Sequence, residues 1–466
     1  MVDVKTTDNS VHDRTRREFL RLAGGTAFGG GLLALGGVTA AGAAADPLLV
    51  NPSDPGFWRS VGNQFVLDPH STYMNVGTTG SMPRSVLDSY DNYNRLVARD
   101  PASMGGEWGG FPYTAGLVER MAPQFGANAD ELVLSRNTTD GMCSIIEGLN
   151  LQPGDVVLHS HHEHVAAESP LHVVAQRQGV QVITVEIPVF PTSPAEYVQA
   201  FADAIAASPT LPRLLVFSHI TYKTGARLPA KAICELAANM GIPTLVDGAH
   251  TFGMIDLDLH DIGCDFYAGS GHKWQCGPGA TGILYVRDNL ARLQAFWSDR
   301  SEVFWPINSS LAEYSVFPLA TRLQYVGNDN YPAKRALADA CDFWAMIGRD
   351  RIEARVLGLS AYCKALIRDT FGHTATVYSP DLPELSSGIT SFNPFTDRTD
   401  LATLNRFRDR LRDEYGFIIR TTDFKVRLSD PVEEHALRIS THLFHGERDV
   451  EGLVESMWYL FQDMTA

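Results

Sequence analysis

The stretch from Ile242 to Arg287 constrains this chain more than any other. Its short apolar run Thr244-Leu245-Val246 ends on Asp247, where a buried parallel strand reaches the crevice beyond its carboxyl end, so the carboxylate faces a ligand. About one strand-helix-strand step later, Ser270-Gly271-His272-Lys273 holds a lysine in a loop of small residues. Strand-like segments flank that loop at 264–268 and 281–286. Strands alternate with helical segments along the whole chain, which predicts an α/β protein.

An acid at a strand end and a loop lysine together point to pyridoxal phosphate chemistry. The lysine forms a Schiff base with the cofactor aldehyde, and the acid keeps the pyridine nitrogen protonated so that the ring accepts electrons from the substrate Cα. Alone, the lysine reads as a surface charge and the aspartate as a helix cap. The pair at this spacing carries the inference. Gly277-Pro278-Gly279-Ala280-Thr281-Gly282 matches Gly-x-Gly-x-x-Gly, but it precedes a strand instead of opening a helix, which removes the dinucleotide reading.

Val-Asp-Gly-Ala-His (246–250) followed by Ser-Gly-His-Lys-Trp (270–274) resembles the cofactor segment of the class V aminotransferases. The resemblance implies a fold-type I pyridoxal-phosphate enzyme, with a large domain built on a mixed, mostly parallel sheet and a smaller C-terminal α+β domain. It also implies that Lys273 bears the cofactor, Asp247 pairs with the pyridine nitrogen and His250 hydrogen-bonds the phenolic oxygen. Ser270 and His272 then hold the phosphate, together with Thr138 and Thr139. The Asn137–Met142 turn lies at a helix N-terminus, where backbone N–H groups and the helix dipole favour a dianion. Many members have Gln where His250 stands and Asn where Thr221 stands.

His159, His161 and His164 follow a strand with the spacing of a metallo-hydrolase zinc site, a rival reading. Glu163 stands where that signature carries Asp, and the motif belongs to a β-rich setting. By the resemblance His164 stacks over the cofactor and no metal is bound. The resemblance further places Asn75 near the substrate, makes Arg438 the grip on an α-carboxylate, and lends Asn328 to the neighbouring subunit's phosphate in a homodimer. A planar five-donor guanidinium suits a bidentate carboxylate.

Thr15-Arg16-Arg17-Glu18-Phe19-Leu20-Arg21 precedes an uncharged Gly/Ala-rich segment ending in Ala43-Ala44-Ala45. This is the pattern of a twin-arginine export signal and implies the translocase as a partner and a periplasmic or exported destination. Residues 1–45 are read as the signal, 46–82 as an N-terminal arm, 83–330 as the large cofactor-binding domain, and 331–466 as linker helices and the small domain. A chain of 466 residues, 44% apolar and 20% charged, buries a core of that size. A net charge of −16 gives no electrostatic footprint for nucleic acid, which leaves small molecules as ligands. The six cysteines lack motif spacing and read as buried thiols.

The segment Arg420–Lys425, read as a loop, contains no cysteine, which argues against persulfide-based desulfuration. An amino acid or amino-acid-like substrate is expected. Transamination, epimerisation of the isopenicillin N type, lyase chemistry and an oxidative side-chain modification in pyoverdine-type siderophore maturation all remain open.

Overall fold

The computed structural model describes Asp54, residues 56–105 and residues 113–466. The expected export signal, residues 1–45, lies outside the described residues.

In chain order the strands are β1 (Thr72–Tyr73), β2 (Leu132–Val133), β3 (Val156–Ser160), β4 (Gln181–Val185), β5 (Leu214–Ser218) and β6 (Thr244–Gly248). They continue with β7 (Phe266–Ser270), β8 (Gly282–Val286), β9 (Thr376–Val377), β10 (Ile389–Asn393), β11 (Phe417–Ile418), β12 (Arg420–Phe424) and β13 (Glu434–Ser440). Seven of them form one sheet in the order β2-β8-β7-β6-β5-β3-β4. All its pairings are parallel except the two made by β8.

Every residue of β3, β5, β6, β7 and β8 is buried. Helices cover both faces of such a sheet, so its strands read as continuous apolar runs. Successive side chains still alternate: Leu245 joins the apolar core on one face and Val246 the core on the other. The architecture is that of a fold-type I pyridoxal-phosphate enzyme.

The strand expected at 264–268 runs instead from Phe266 to Ser270. Gly263, at φ 75°, closes the short helix Leu259–Ile262, and Asp265 is spent on entry to the strand, accepting from the Thr244 backbone N–H at 2.8 Å. The two-residue shift makes Ser270 the last strand residue and leaves Lys273 just beyond the crevice edge. The linker helices expected from residue 331 onward are Tyr331–Ile347 and Arg349–Phe371, divided at Gly348 with φ 102°.

β12, β13, β10 and β9 make a four-stranded antiparallel sheet with its own apolar core. The segment read as a cysteine-free loop is therefore a strand. β11 and β12 are separate strands, because Phe417–Ile418 pairs in parallel with β1 before β12 begins. This pairing ties the N-terminal segment to the C-terminal region, and Met74 is buried in the same core as Leu437 and Ile439. Cys143 is half-buried and the other five cysteines are buried; all six are free thiols. Among the described residues no helix is long and apolar enough to cross a membrane.

Candidate active site

A cleft of about 270 Å³ opens where the carboxyl ends of the sheet strands meet β12 and β13. Asp247, on β6, lies beside Ala268 of β7 in parallel register, and Lys273 follows β7 by three residues. Asp247 Oδ1 accepts from the Ala249 backbone N–H at 2.8 Å. Burial pushes the carboxyl above its usual range, while that N–H and the Lys273 ammonium pull it back. Lys273 is half-buried, yet desolvation pulls its amine down to about 8, against the opposing attraction of Asp247 and with help from Arg438 and Arg420.

His250 stands next in the wall, buried and held neutral by desolvation and by the cations around it, Lys273 first. The Trp274 indole N–H donates to His250 Nδ1 at 3.1 Å. The loop that continues from Trp274 into β8 carries two non-glycine residues in left-handed backbone, Cys276 at φ 52° and Ala280 at φ 56°. No helix follows the glycine-rich 277–282 segment directly, which agrees with setting the dinucleotide reading aside.

The second wall is the turn into the helix Thr138–Gly148. Asn137 caps it, its side chain accepting from the Asp140 N–H at 2.8 Å. The first-turn N–H groups of Thr138 and Thr139 have no intrahelical acceptors, and both residues line the cleft. Thr138 Oγ1 lies 2.7 Å from Ser270 Oγ. Gly141 permits this approach, because a Cβ there would stand 2.9 Å from Ala268 Cβ. His272 also lines the cleft, and its buried Nδ1 has no partner among the described residues. Two hydroxyls, two free N–H groups and an unpaired imidazole nitrogen at a helix N-terminus are the donor set a phosphate ester needs. With Lys273 and Asp247 across the cleft, these residues fit pyridoxal phosphate.

The third wall begins at the end of β3. His164 Nδ1 accepts from the Ala166 N–H at 3.1 Å, capping the helix Val165–Gln178, and its ring meets the Tyr222 ring edge-on with centroids 5.0 Å apart. Desolvation takes the His164 imidazole down to about 4. His159 Nε2 instead pairs with Thr184 Oγ1 at 3.0 Å, and His161 Nδ1 accepts from the Ile187 N–H at 3.2 Å. The three imidazoles of the metallo-hydrolase reading thus serve three separate partners. That reading is corrected: among the described residues no three His, Cys, Asp or Glu side chains are grouped so as to hold a metal ion.

Arg438 projects from β13 on the opposite side. Its Nη2 donates to Thr78 Oγ1 at 3.0 Å and to Asn75 Oδ1 at 3.3 Å, and its Nη1 donates to the Tyr222 carbonyl at 3.4 Å. Nε has no partner, and burial beside Arg420 pulls the guanidinium down to about 10. Asn75 stands behind Arg438 and orients it, while Gly77 and Thr78 line the cleft. Thr221 is buried in its own turn, its hydroxyl 2.8 Å from Thr224 Oγ1, and Tyr222 faces the cleft in its place. Asn328 is exposed on a turn and does not line the cleft of its own chain.

Sequence reasoning missed Arg420, Thr78 and Tyr222 as lining residues. Arg420 carries no local signal, because a polar-rich strand of five residues looks like a loop. Its place follows only from the register that sets Arg420 opposite Arg438.

Residues 72–423 match the family model described as aminotransferase class-V. The chain is 30% identical over 407 residues to isopenicillin N epimerase of Streptomyces clavuligerus, covering 86% of this chain and 97% of that protein. It is 32% identical over 412 residues to isopenicillin N epimerase of Amycolatopsis lactamdurans, covering 86% and 98%. A probable cysteine desulfurase of Vibrio cholerae is 26% identical over 396 residues, covering 83% and 92%. Among solved structures, a cysteine desulfurase from Thermococcus onnurineus superposes with a TM-score of 0.70 at 19% identity, covering 87% of this chain and 98% of that one. The family match covers most of the chain, the lysine and aspartate pair and every cleft-lining residue except Arg438: the chain belongs to the class V aminotransferase family, the pyridoxal-phosphate enzymes of fold type I.

Proposed function

We propose that the protein acts at the Cα of an amino acid or amino-acid-like substrate, by chemistry of the isopenicillin N epimerase kind. The observation that supports this most is the placement of the Lys273 amine, drawn down to about 8, between Asp247 and a buried arginine that no carboxylate neutralises among the described residues. The near full-length coverage of the two epimerases favours epimerisation over the other family reactions.

When bound, pyridoxal phosphate supplies an electron sink that makes the Cα–H bond of an attached amino acid acidic. Thr138, Thr139, Ser270 and His272 would hold the phosphate end, Asp247 would offer a buried carboxylate to the ring nitrogen, and His250 would donate from Nε2 to the phenolic oxygen. Arg438 binds the α-carboxylate and fixes which bond at Cα faces Lys273. Lys273 Nζ, drawn down to about 8 so that an appreciable fraction is neutral near physiological pH, removes the Cα proton. Epimerisation breaks and re-forms one C–H bond, so it consumes no oxidant or second substrate.

The test is deuterium exchange. Loaded enzyme incubated with amino acids in D₂O washes deuterium into Cα and inverts the centre, and Lys273→Ala abolishes both. Stoichiometric oxo-acid formation in place of inversion assigns transamination, and no exchange across a broad panel of amino acids sinks the reading. Sulfur release from cysteine by a persulfide route has less support, because residues 420–425 contain no thiol where a cysteine is required.

Two properties belong to the same proposal. Arg16 and Arg17 direct export of the folded, loaded enzyme, and replacing both with lysine strands the precursor in the cytoplasm; unimpaired export of that variant refutes the assignment. Asn328 completes a phosphate site across a homodimer, which a monomer in sedimentation equilibrium of the loaded protein excludes.

A further inference from the structure

Arg420 and Arg438 face each other directly across the antiparallel pair β12 and β13. Side chains of directly opposed residues emerge on the same side of a sheet, so two guanidiniums share one patch of the cleft wall, and both line the cleft. Like charges so placed repel and need compensation. None comes from the protein: among the described residues neither guanidinium meets a carboxylate, and the polar contacts of both are neutral oxygens. Thr78 Oγ1 lies 3.0 Å from Arg438 Nη2 and 3.4 Å from Arg420 Nη1, and sets the two groups side by side. The Asn75 side-chain oxygen and the Tyr222 carbonyl complete the contacts of Arg438, whose Nε remains unpaired and buried.

The cleft lining carries Lys273, Arg420 and Arg438 against Asp247 alone. A cofactor phosphate belongs at the helix N-terminus beside Thr138 and Ser270, so it does not neutralise the arginine pair. One α-carboxylate occupies one guanidinium in bidentate fashion and leaves the other exposed to the cleft.

We propose that Arg420 forms a second anion subsite, so that the substrate is an α-amino acid whose side chain carries a further anionic group. This rests on Arg438 holding the α-carboxylate. Arg438 is the buried, pre-oriented partner, and Arg420, exposed at the mouth, meets the more distal and more hydrated group. The subsite selects among amino acids without taking part in proton transfer.

Two measurements test the subsite, one of which needs no turnover. In titrations of the loaded enzyme followed by its visible absorbance, glutarate binds about tenfold or more tighter than butyrate, the ratio expected for one added charge-assisted hydrogen-bonded contact. Arg420→Gln collapses that ratio toward unity. Equal binding of the two acids to the wild type, or a ratio that survives in Arg420→Gln, overturns the subsite. In D₂O exchange, 2-aminoadipate half-saturates the wild type at a lower concentration than norleucine, and Arg420→Gln removes the difference. Exchange without that preference refutes the subsite and leaves the Cα chemistry standing, whereas absent exchange with a retained glutarate preference refutes the chemistry and leaves the subsite.

Discussion

The Trp274 indole N–H donates to His250 Nδ1 at 3.1 Å, and this contact decides which nitrogen of the imidazole carries its proton. An indole N–H can only donate, so Nδ1 is the acceptor, and the neutral ring keeps its hydrogen on Nε2. His250 thereby becomes an obligatory donor toward the cleft it lines. Replacing Trp274 with Phe frees the ring to flip its tautomer. The pH titration of the bound cofactor's absorbance then shifts in Trp274→Phe, and stability falls by about 1–3 kcal/mol from the lost bond and packing. In a His250→Gln background the same Trp274 change costs stability but leaves the titration in place. An equal spectral shift in both backgrounds shows that the indole acts by another route.

Lys273 must be neutral to attack an aldehyde. Its amine is drawn down to about 8 from the 10.5 ordinary for a lysine, so the nucleophilic fraction grows as pH rises through 8 and not through 10.5. The rate at which apoenzyme captures pyridoxal phosphate accordingly climbs between pH 7 and 9 and then levels. Stopped-flow absorbance measures it, and a rate still climbing steeply above pH 10 contradicts the desolvated amine.

Arg438→Ala removes one partner of a carboxylate contact in a desolvated cleft, a loss of about 3 kcal/mol or more. KM for the amino-acid substrate rises about a hundredfold, while the visible spectrum of the loaded enzyme persists because Lys273 is untouched. An unchanged KM would place the carboxylate elsewhere, with Arg420 the first alternative.

Glu163 lies fully buried beneath the cleft, accepting from the Ser218 N–H at 2.9 Å, the Ser218 hydroxyl at 2.6 Å and the Ser160 hydroxyl. Desolvation and the neighbouring Asp247 charge outweigh these donors and raise its carboxyl to about 8. The folded protein holds a proton there that the unfolded chain releases near 4.5, so stability from the neutral carboxyl is complete below 4.5 and lost as pH rises toward 8. Denaturant titrations from pH 5 to 8.5 record a decline of a few kcal/mol, on the order set by about 1.4 kcal/mol for each tenfold difference in proton affinity between the folded and unfolded chain. Glu163→Gln flattens that decline. A profile identical to the wild type assigns the pH dependence to other groups.

The lysine, the aspartate, the phosphate turn and the α/β class were legible because each is local. An apolar run that ends on Asp247, a small-residue loop around Lys273 and a hydroxyl-rich helix start are patterns of adjacent residues, and strand ends of a parallel sheet gather at one edge. Their boundaries were less legible: one glycine at 263 and an anchoring Asp265 moved β7 by two residues and delivered Ser270 to the cleft. Three contacts of the cleft left almost no trace in the sequence. Arg420 reaches the cleft through the β12–β13 register, Thr78 through a turn that bridges two arginines, and Trp274 through a side chain folded back on His250. Their partners are 18, 360 and 24 residues away in the chain, and only strand pairing and tertiary packing bring them together.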